Sequence, residues 1–492
     1  MLIQSTLIAL SATLAAAVKP LSVKNQFFVD PSDNIFQIVG VAYQPGGSAG
    51  YDATHGKDPL SNADICRRDA AILQILGVNT IRVYNLNPDV NHDECASIFN
   101  AAGIYMILDV NSPQVAGSLQ TYNPWESYYD TYVNRTFAVV EAFKNYDNTL
   151  AFFSGNEVIN DESSAGQVPP YMRAVTRDIK NYVAKHCDRK IPVGYSAADV
   201  REVLFDSFEY FTCAEGGKSN DPSRADIFAL NSYSWCGNSD FQKSGYDDLV
   251  DGFRNTSVPV FYSEYGCNAV QPRPFTEVGA IYGEEFSSVF SGGIVYEYTQ
   301  EDNDYGLVKV NTKDESVTLL KDFYTLKDQF SKLDWKKVQG VKSAKEGSGP
   351  KAPKCDAKLI QSKDFYGNFT LPDMPPNVDK ILAKGVSPKP TGKLVDIKDF
   401  SVKYTVKNAD GSVISDLAVK PLGSDESNAP GSNDAKIQDS GSVSSGNSTS
   451  SDSDSDSDSD DTKNSGAAGS AIAMTLPAVA MGAFAIFAGL AL

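Results

Sequence analysis

From residue 36 to 299 the chain alternates short runs of Val, Ile, Phe and Tyr with longer stretches whose apolar residues recur at helical spacing. Short β-branched and aromatic runs read as strands, and the amphipathic stretches between them as helices. The pattern predicts strands at 36–43, 78–84, 104–110, 150–157, 191–196, 227–233, 258–264 and 293–299, with helices at 64–76, 92–102, 125–145, 170–185, 200–211 and 275–290. Eight strands alternating with helices predict an α/β chain folded as a (β/α)8 TIM barrel, whose C-terminal strand ends converge on one mouth. The rival is an open doubly wound sheet, but no glycine-rich dinucleotide fingerprint is present.

Beyond the barrel the pattern weakens. A helical stretch is expected at 317–333, then a connector rich in Lys, Gly, Pro and Ser at 336–354. The alternating run 400–419, turning at Asp410-Gly411, reads as a β-hairpin. It is too small for a core of its own and is expected to pack on the barrel. The organisation expected is a signal peptide at 1–17, a catalytic barrel at 18–335, a connector and short β-rich extension at 336–420, a disordered Ser/Asp-rich tail at 421–464, and a propeptide at 465–492.

The two ends carry address signals. An apolar run from Leu2 ends in Ala15-Ala16-Ala17, a secretory signal with cleavage after Ala17. At the other end, small residues at Asn464-Ser465-Gly466, a polar spacer and an apolar tail match a GPI-attachment signal, with Asn464 as the anchor residue. A transmembrane helix is the alternative, but no basic stop-transfer residues follow it. Secretion makes the sequons at Asn134, Asn255, Asn368 and Asn447 usable. The net charge of −19 is concentrated in part between Leu422 and Lys463, where a Ser-Asp repeat reads as a solvated spacer rather than a calcium site. Such an acidic balance argues against nucleic acid as a partner.

Polar residues punctuate the predicted strand ends: Gln44, Tyr84, Asp109, Asn156-Glu157, Asn231, Tyr233, Glu264 and Tyr296-Glu297. Glu157 and Glu264 close strands four and seven. Glycosidic cleavage needs a proton donor to the leaving oxygen and a carboxylate at the developing oxocarbenium centre, and two such residues supply both. Either Glu alone reads as readily as a helix cap or an arginine partner. Asn156 is placed to bond the sugar hydroxyl beside the reacting carbon, and Tyr84, Tyr233 and Tyr296 offer flat faces and hydroxyls, although any one Tyr is more often core. Arg82, Asp109 and Gln44 read equally as substrate contacts, tuners of the glutamates or structural pairs. The three histidines lack metal-ligand spacing, so neither metal nor cofactor is expected. Gly46-Gly47-Ser48-Ala49-Gly50 matches a nucleophile elbow only on paper, since no helix pattern follows. Seven cysteines in a secreted chain imply up to three disulfides, of connectivity left open by the spacing.

The segments Tyr43-Gln44-Pro45-Gly46-Gly47-Ser48, Gly77 to Tyr84, Phe153-Ser154-Gly155-Asn156-Glu157-Val158 and Ser263-Glu264-Tyr265-Gly266-Cys267 resemble the fungal β-1,3-glucanosyltransferases of glycoside hydrolase family 72. The resemblance runs from about Val23 to Tyr324 and more weakly to Cys355. It implies a GPI-anchored enzyme of the cell surface or wall, monomeric, that cuts β-1,3-glucan internally and transfers the new reducing end to another chain with retention. It further implies Glu157 as acid/base, Glu264 as nucleophile, and Gln44, Tyr84, Asp109, Asn156, Tyr233 and Tyr296 as substrate contacts. The family's disulfides would be Cys66–Cys95, Cys213–Cys355 and Cys236–Cys267, leaving Cys187 as a buried thiol. Many members carry a cysteine-rich glucan-binding module after the barrel, but here Cys355 is the sole cysteine beyond Cys267, so the chain resembles members without it. A glucan hydrolase with the same glutamates and a non-catalytic glucan-binding wall protein are the competing readings.

Overall fold

The computed structural model describes residues 18–438 apart from 219 and 389–390. The signal peptide, Asn447 and the anchor at Asn464 therefore lie outside the described residues. At the centre are eight parallel strands: β1 Ile38–Tyr43, β2 Thr80–Val83, β3 Tyr105–Asp109, β4 Thr149–Asn156, β5 Val193–Ala198, β6 Ile227–Asn231, β7 Val260–Tyr265 and β8 Phe290–Val295. They close in the order β7-β8-β1-β2-β3-β4-β5-β6, with β6 paired to β7.

Because successive side chains on a strand point to opposite faces, each strand sorts its residues into two cores. Outward positions such as Val39, Val41, Ile81, Leu108, Phe228 and Val260 join the helical ring. Inward positions such as Ile38, Ala42, Ile107, Ala151, Phe153, Ala229, Phe261 and Ile294 fill the barrel. A small antiparallel sheet, Ser22–Lys24, Phe27–Val29 and Ile35–Phe36, contributes Phe28 and Phe36 to that interior cluster, whose partly buried margin includes Tyr84 and Tyr296. The apolar packing thus gives way to polar side chains at the strand C-termini.

Helix boundaries follow local chemistry. The helix Ala63–Leu76 starts where Asn62 Oδ1 accepts from the amides of Asp64 and Ile65, and stops at Gly77, whose φ of 88° suits a residue without Cβ. The single helix expected at 125–145 is two, Pro124–Ser127 and Asp130–Phe143, and that expected at 275–290 is Glu277–Ile281 and Glu284–Ser287. Strand eight lies earlier than expected, at Phe290–Val295. The first part of the helix expected at 317–333 is a strand, Ser316–Leu319, paired antiparallel with Val308–Asn311, and the helix is Lys321–Ser331. The helix Tyr246–Phe253, which contains three Asp and a Gly, had no sequence forecast.

After Cys355 the chain runs as a belt over the outer helices, meeting them in reverse order. The Gln361 and Ser362 amides bond both Asp206 oxygens, and Phe369 stacks on Tyr210 at 4.7 Å, both partners being on the helix Leu204–Thr212. Further along, the Val386 amide donates to Tyr182, the Lys393 amide to Asp93 and the Val395 amide to Ser97. Arg67 Nε donates to the Asp399 carbonyl. The run 400–419 turns at Asp410-Gly411, with the Val402 amide bonded to Leu417 and the Ile414 amide to Val406, while Val406–Lys407 pairs parallel with Ser316–Leu319. Residues 421–438 correct the expectation of a free spacer from 421. The Leu422 amide bonds Ala101, and buried Asn428 donates to the Val78 carbonyl, so hydrogen bonds hold this polar stretch against the barrel.

Candidate active site

The site grows from polar residues that interrupt otherwise apolar strands near their C-terminal ends. Arg82 of β2 is fully buried and lies beneath the mouth, its guanidinium 4.8 Å from the Phe153 ring centroid and 4.5 Å from that of Tyr84. It donates through Nε to Asp109 at 3.1 Å, through Nη2 to Asp109 at 3.3 Å and to Asn156 Oδ1 at 2.8 Å. Through Nη1 it reaches Asn231 Oδ1 at 3.3 Å and Glu264 Oε1 at 3.2 Å. Burial works against its charge, but Asp109, Tyr84 and Glu264 outweigh that and raise its pKa. Burial also raises the Asp109 pKa, against the pull of Arg82.

Glu264 of β7 accepts from the Tyr84 hydroxyl at 2.8 Å and the Tyr233 hydroxyl at 2.7 Å, one to each oxygen. With Arg82 these donors surround the carboxyl and aim it. Glu157 stands just past β4, at a φ of 49° and with its amide on the Ser196 carbonyl. Its carboxylate oxygen Oε1 accepts from Asn231 Nδ2 at 3.0 Å. Burial raises its pKa, the Glu264 charge raises it further, and the Asn231 bond and Arg82 pull the other way. The two carboxyls therefore differ in surroundings: one is held by a cation and two hydroxyls, the other by an amide.

Asn156 uses its carbonyl oxygen to accept from Arg82, Ser196 and Asn231, so its amide nitrogen has no protein acceptor among the described residues. Gln44 is 7% exposed, and its Nε2 is buried without a partner. Tyr84, Tyr233 and Tyr296 are half-buried, with Tyr233 and Tyr296 edge to face at 6.5 Å. The β1 loop is tied across the mouth, since the Ser48 amide donates to Glu301 at 3.0 Å; at Gly47, with φ 65°, a Cβ would lie 2.5 Å from the Glu301 carboxyl carbon. Asn231, Ser196 and Ser263 complete the network, Ser263 Oγ donating to Asn231 Oδ1 at 2.7 Å. Of these, Asn231 was visible as a polar strand end and Ser263 stood in the motif before Glu264 without a role of its own, but Ser196 was missed; its only signal was a hydroxyl closing an apolar run.

Three disulfides are present, Cys66–Cys95, Cys213–Cys355 and Cys236–Cys267, the last joining the loops after β6 and β7 that follow Tyr233 and Glu264. Cys187 is a free thiol, partly rather than fully buried, and burial pushes its pKa up to about 11. Asn255 and Asn368 are exposed, and Asn134 is half-buried on the helix Asp130–Phe143. Among the described residues no helix is long and apolar enough to cross a membrane.

A family model described as glucanosyltransferase, glycoside hydrolase family 72, matches residues 10–334. The chain belongs to that family. It is 54% identical over 421 residues to the 1,3-beta-glucanosyltransferase gel2 of Aspergillus fumigatus, covering 85% of this chain and 86% of the relative. It is 45% identical over 436 residues to the probable 1,3-beta-glucanosyltransferase GAS3 of Saccharomyces cerevisiae, covering 83% and 81%. Among solved structures, a mutant of Saccharomyces cerevisiae Gas2p in complex with laminaritetraose and laminaripentaose matches with a TM-score of 0.62 at 36% identity, over 73% of this chain and 76% of that one. Family membership and the barrel are thereby established together.

Proposed function

We propose that this chain is a retaining β-1,3-glucanosyltransferase that remodels the fungal cell wall, with Glu264 as nucleophile and Glu157 as acid/base. The observation that carries the assignment is the asymmetry of the pair. Glu264 receives Tyr84, Tyr233 and Arg82, the donors that hold and aim a nucleophilic oxygen, whereas burial and the neighbouring charge raise the Glu157 pKa and favour its acid.

In the first step a Glu264 oxygen bonds the anomeric carbon while the glycosidic C–O bond breaks and Glu157 gives its proton to the departing chain. In the second, an acceptor sugar hydroxyl attacks that carbon, its proton passes to Glu157 and the bond to Glu264 breaks. Two inversions give retention. The free amide nitrogen of Asn156 and the unpartnered Nε2 of Gln44 are donors for sugar hydroxyls, and Tyr84, Tyr233 and Tyr296 line the cleft as ring faces. Asp109 acts through Arg82.

The address signals support a chain tethered outside the plasma membrane by a lipid at Asn464, and the relatives' names support β-1,3-glucan chains as donor and acceptor. Reduced β-1,3-gluco-oligosaccharides test the activity. Products longer than the starting oligomer are expected; shorter ones alone would replace transfer with hydrolysis, and no products at all would favour a non-catalytic glucan binder.

A further inference from the structure

A third carboxyl lies beside the pair. Glu297 follows Tyr296 beyond β8 and is 2% exposed. It accepts from Asn303 Nδ2 at 2.9 Å, and the neighbouring Tyr296 hydroxyl favours its charged form. Its backbone pairs with the far side of its own loop, the amide bonding Tyr305 and the carbonyl accepting from Leu307. The loop therefore folds back so that the Tyr305 ring meets Tyr233 at 5.5 Å and Tyr296 at 5.3 Å, both edge to face. Tyr233 is the residue whose hydroxyl bonds Glu264.

We propose that Glu297 is a positioning residue for the reaction, holding through Asn303 the loop that stands Tyr305 against Tyr233 and Tyr296 and so behind Glu264. The proposal rests on the glucan-transfer reading above and adds a residue to it. A buried carboxyl is a costly choice for such a post unless it stays neutral. The groups facing it are Tyr296, Glu301 and Tyr305 of its own loop, Glu264 of β7, and Arg273 of the segment after β7. Arg273 is committed to Asp322 and to the Tyr296 and Tyr305 carbonyls, so it gives Glu297 no ion pair. Burial and the Glu301 and Glu264 charges together push the Glu297 pKa up to about 8. Below that pH the carboxyl adds no third negative charge to the cleft; above it, a carboxylate repels Glu264 and Glu301 and the loop loosens.

The test uses the full chain carrying Glu157→Gln, which removes the titration of Glu157 and slows turnover about 10²–10⁴-fold. Binding of laminaripentaose is measured by calorimetry from pH 5 to 9.5. Affinity is expected to hold below about pH 7 and to fall about tenfold by pH 9, the factor expected one pH unit above a pKa of about 8 when the protonated form is the one that binds. Adding Glu297→Gln, a neutral isostere, should keep affinity flat across the range, while Glu297→Ala should be weak at every pH with an unchanged circular dichroism spectrum. Loss of affinity at high pH that persists with Glu297→Gln, or a Glu297→Ala variant that binds like its parent, overturns the proposal. Absence of binding by the Glu157→Gln parent at every pH overturns the glucan reading and this proposal with it, an outcome distinct from the other two.

Discussion

Arg82 and Glu264 sit on strands separated by two others around the barrel, yet Nη1 of the one donates to Oε1 of the other at 3.2 Å. The same guanidinium nitrogen reaches Asn231 Oδ1, and Asn231 Nδ2 in turn donates to Glu157. One planar cation thereby ties the two carboxyls into a single frame at the barrel mouth.

Replacing that cation by lysine should therefore hurt both rate and stability. A lysine keeps the charge but cannot serve Asp109, Asn156, Asn231 and Glu264 from one plane. We expect Arg82→Lys to lower kcat about 100-fold through misplaced carboxyls, with a smaller change in KM. Arg82→Met, which leaves Asp109 and Glu264 buried without their cation, should cost roughly 3–5 kcal/mol in denaturant unfolding.

The Glu157 pKa is raised by burial first and by the Glu264 charge second. Activity is therefore expected to fall as pH rises through that pKa, where the acid loses its proton. In Glu264→Gln the second cause disappears, and the carboxyl carbon of Glu157, followed by 13C NMR, should titrate at lower pH. Glu157→Gln should slow glucan cleavage about 10²–10⁴-fold, and much less so with an aryl glycoside whose leaving group needs no proton.

Gln44 offers a test that separates binding from folding. Its Nε2 is buried without a protein partner, so Gln44→Ala removes an unsatisfied donor and should leave the melting temperature unchanged or slightly higher. If that donor meets a sugar hydroxyl, oligosaccharide affinity should fall about fivefold, near 1 kcal/mol. Equal affinity in wild type and variant would remove Gln44 from the site.

Glu277, 4% exposed on the helix Glu277–Ile281, has its pKa pushed up to about 7, chiefly by burial. Below about pH 4.5 the group is protonated in both folded and unfolded chains and contributes no pH dependence. As pH rises toward about 7 the unfolded chain releases the proton first, so stability should decline by roughly 3 kcal/mol and then level off. Glu277→Gln should flatten that part of the curve in unfolding experiments across about pH 4 to 8.

Several elements could be read from the residues because their causes are local. The strand β1 Ile38–Tyr43 is a run of apolar and small residues, and Asn62 and Gly77 bracket the helix Ala63–Leu76 with their own cap chemistry. Glu157 and Glu264 stood out because a charged residue ends an apolar run at each. The belt was not legible in the same way. Its residues carry no sustained period, and it is held by hydrogen bonds to side chains far away in the chain, such as Asp206, Asp93 and Gln74. The helix 317–333 was misplaced because Val317 and Leu319 fit either period, and pairing with Val308–Asn311 decided for a strand.

By itself the sequence determined the alternation of strands and helices, the two carboxyls at strand ends, and the family they resemble, since hydrophobic period and local motifs act between near neighbours. Only the tertiary structure decided that Arg82 joins Glu264 to Asn231, that Tyr84 and Tyr233 each take one oxygen of Glu264, and that Glu297 is buried behind them. Closing the barrel brings together side chains from strands far apart in the chain. Burial there then raises the Glu157 pKa, and neither distance nor burial across a ring of strands is written in any one segment.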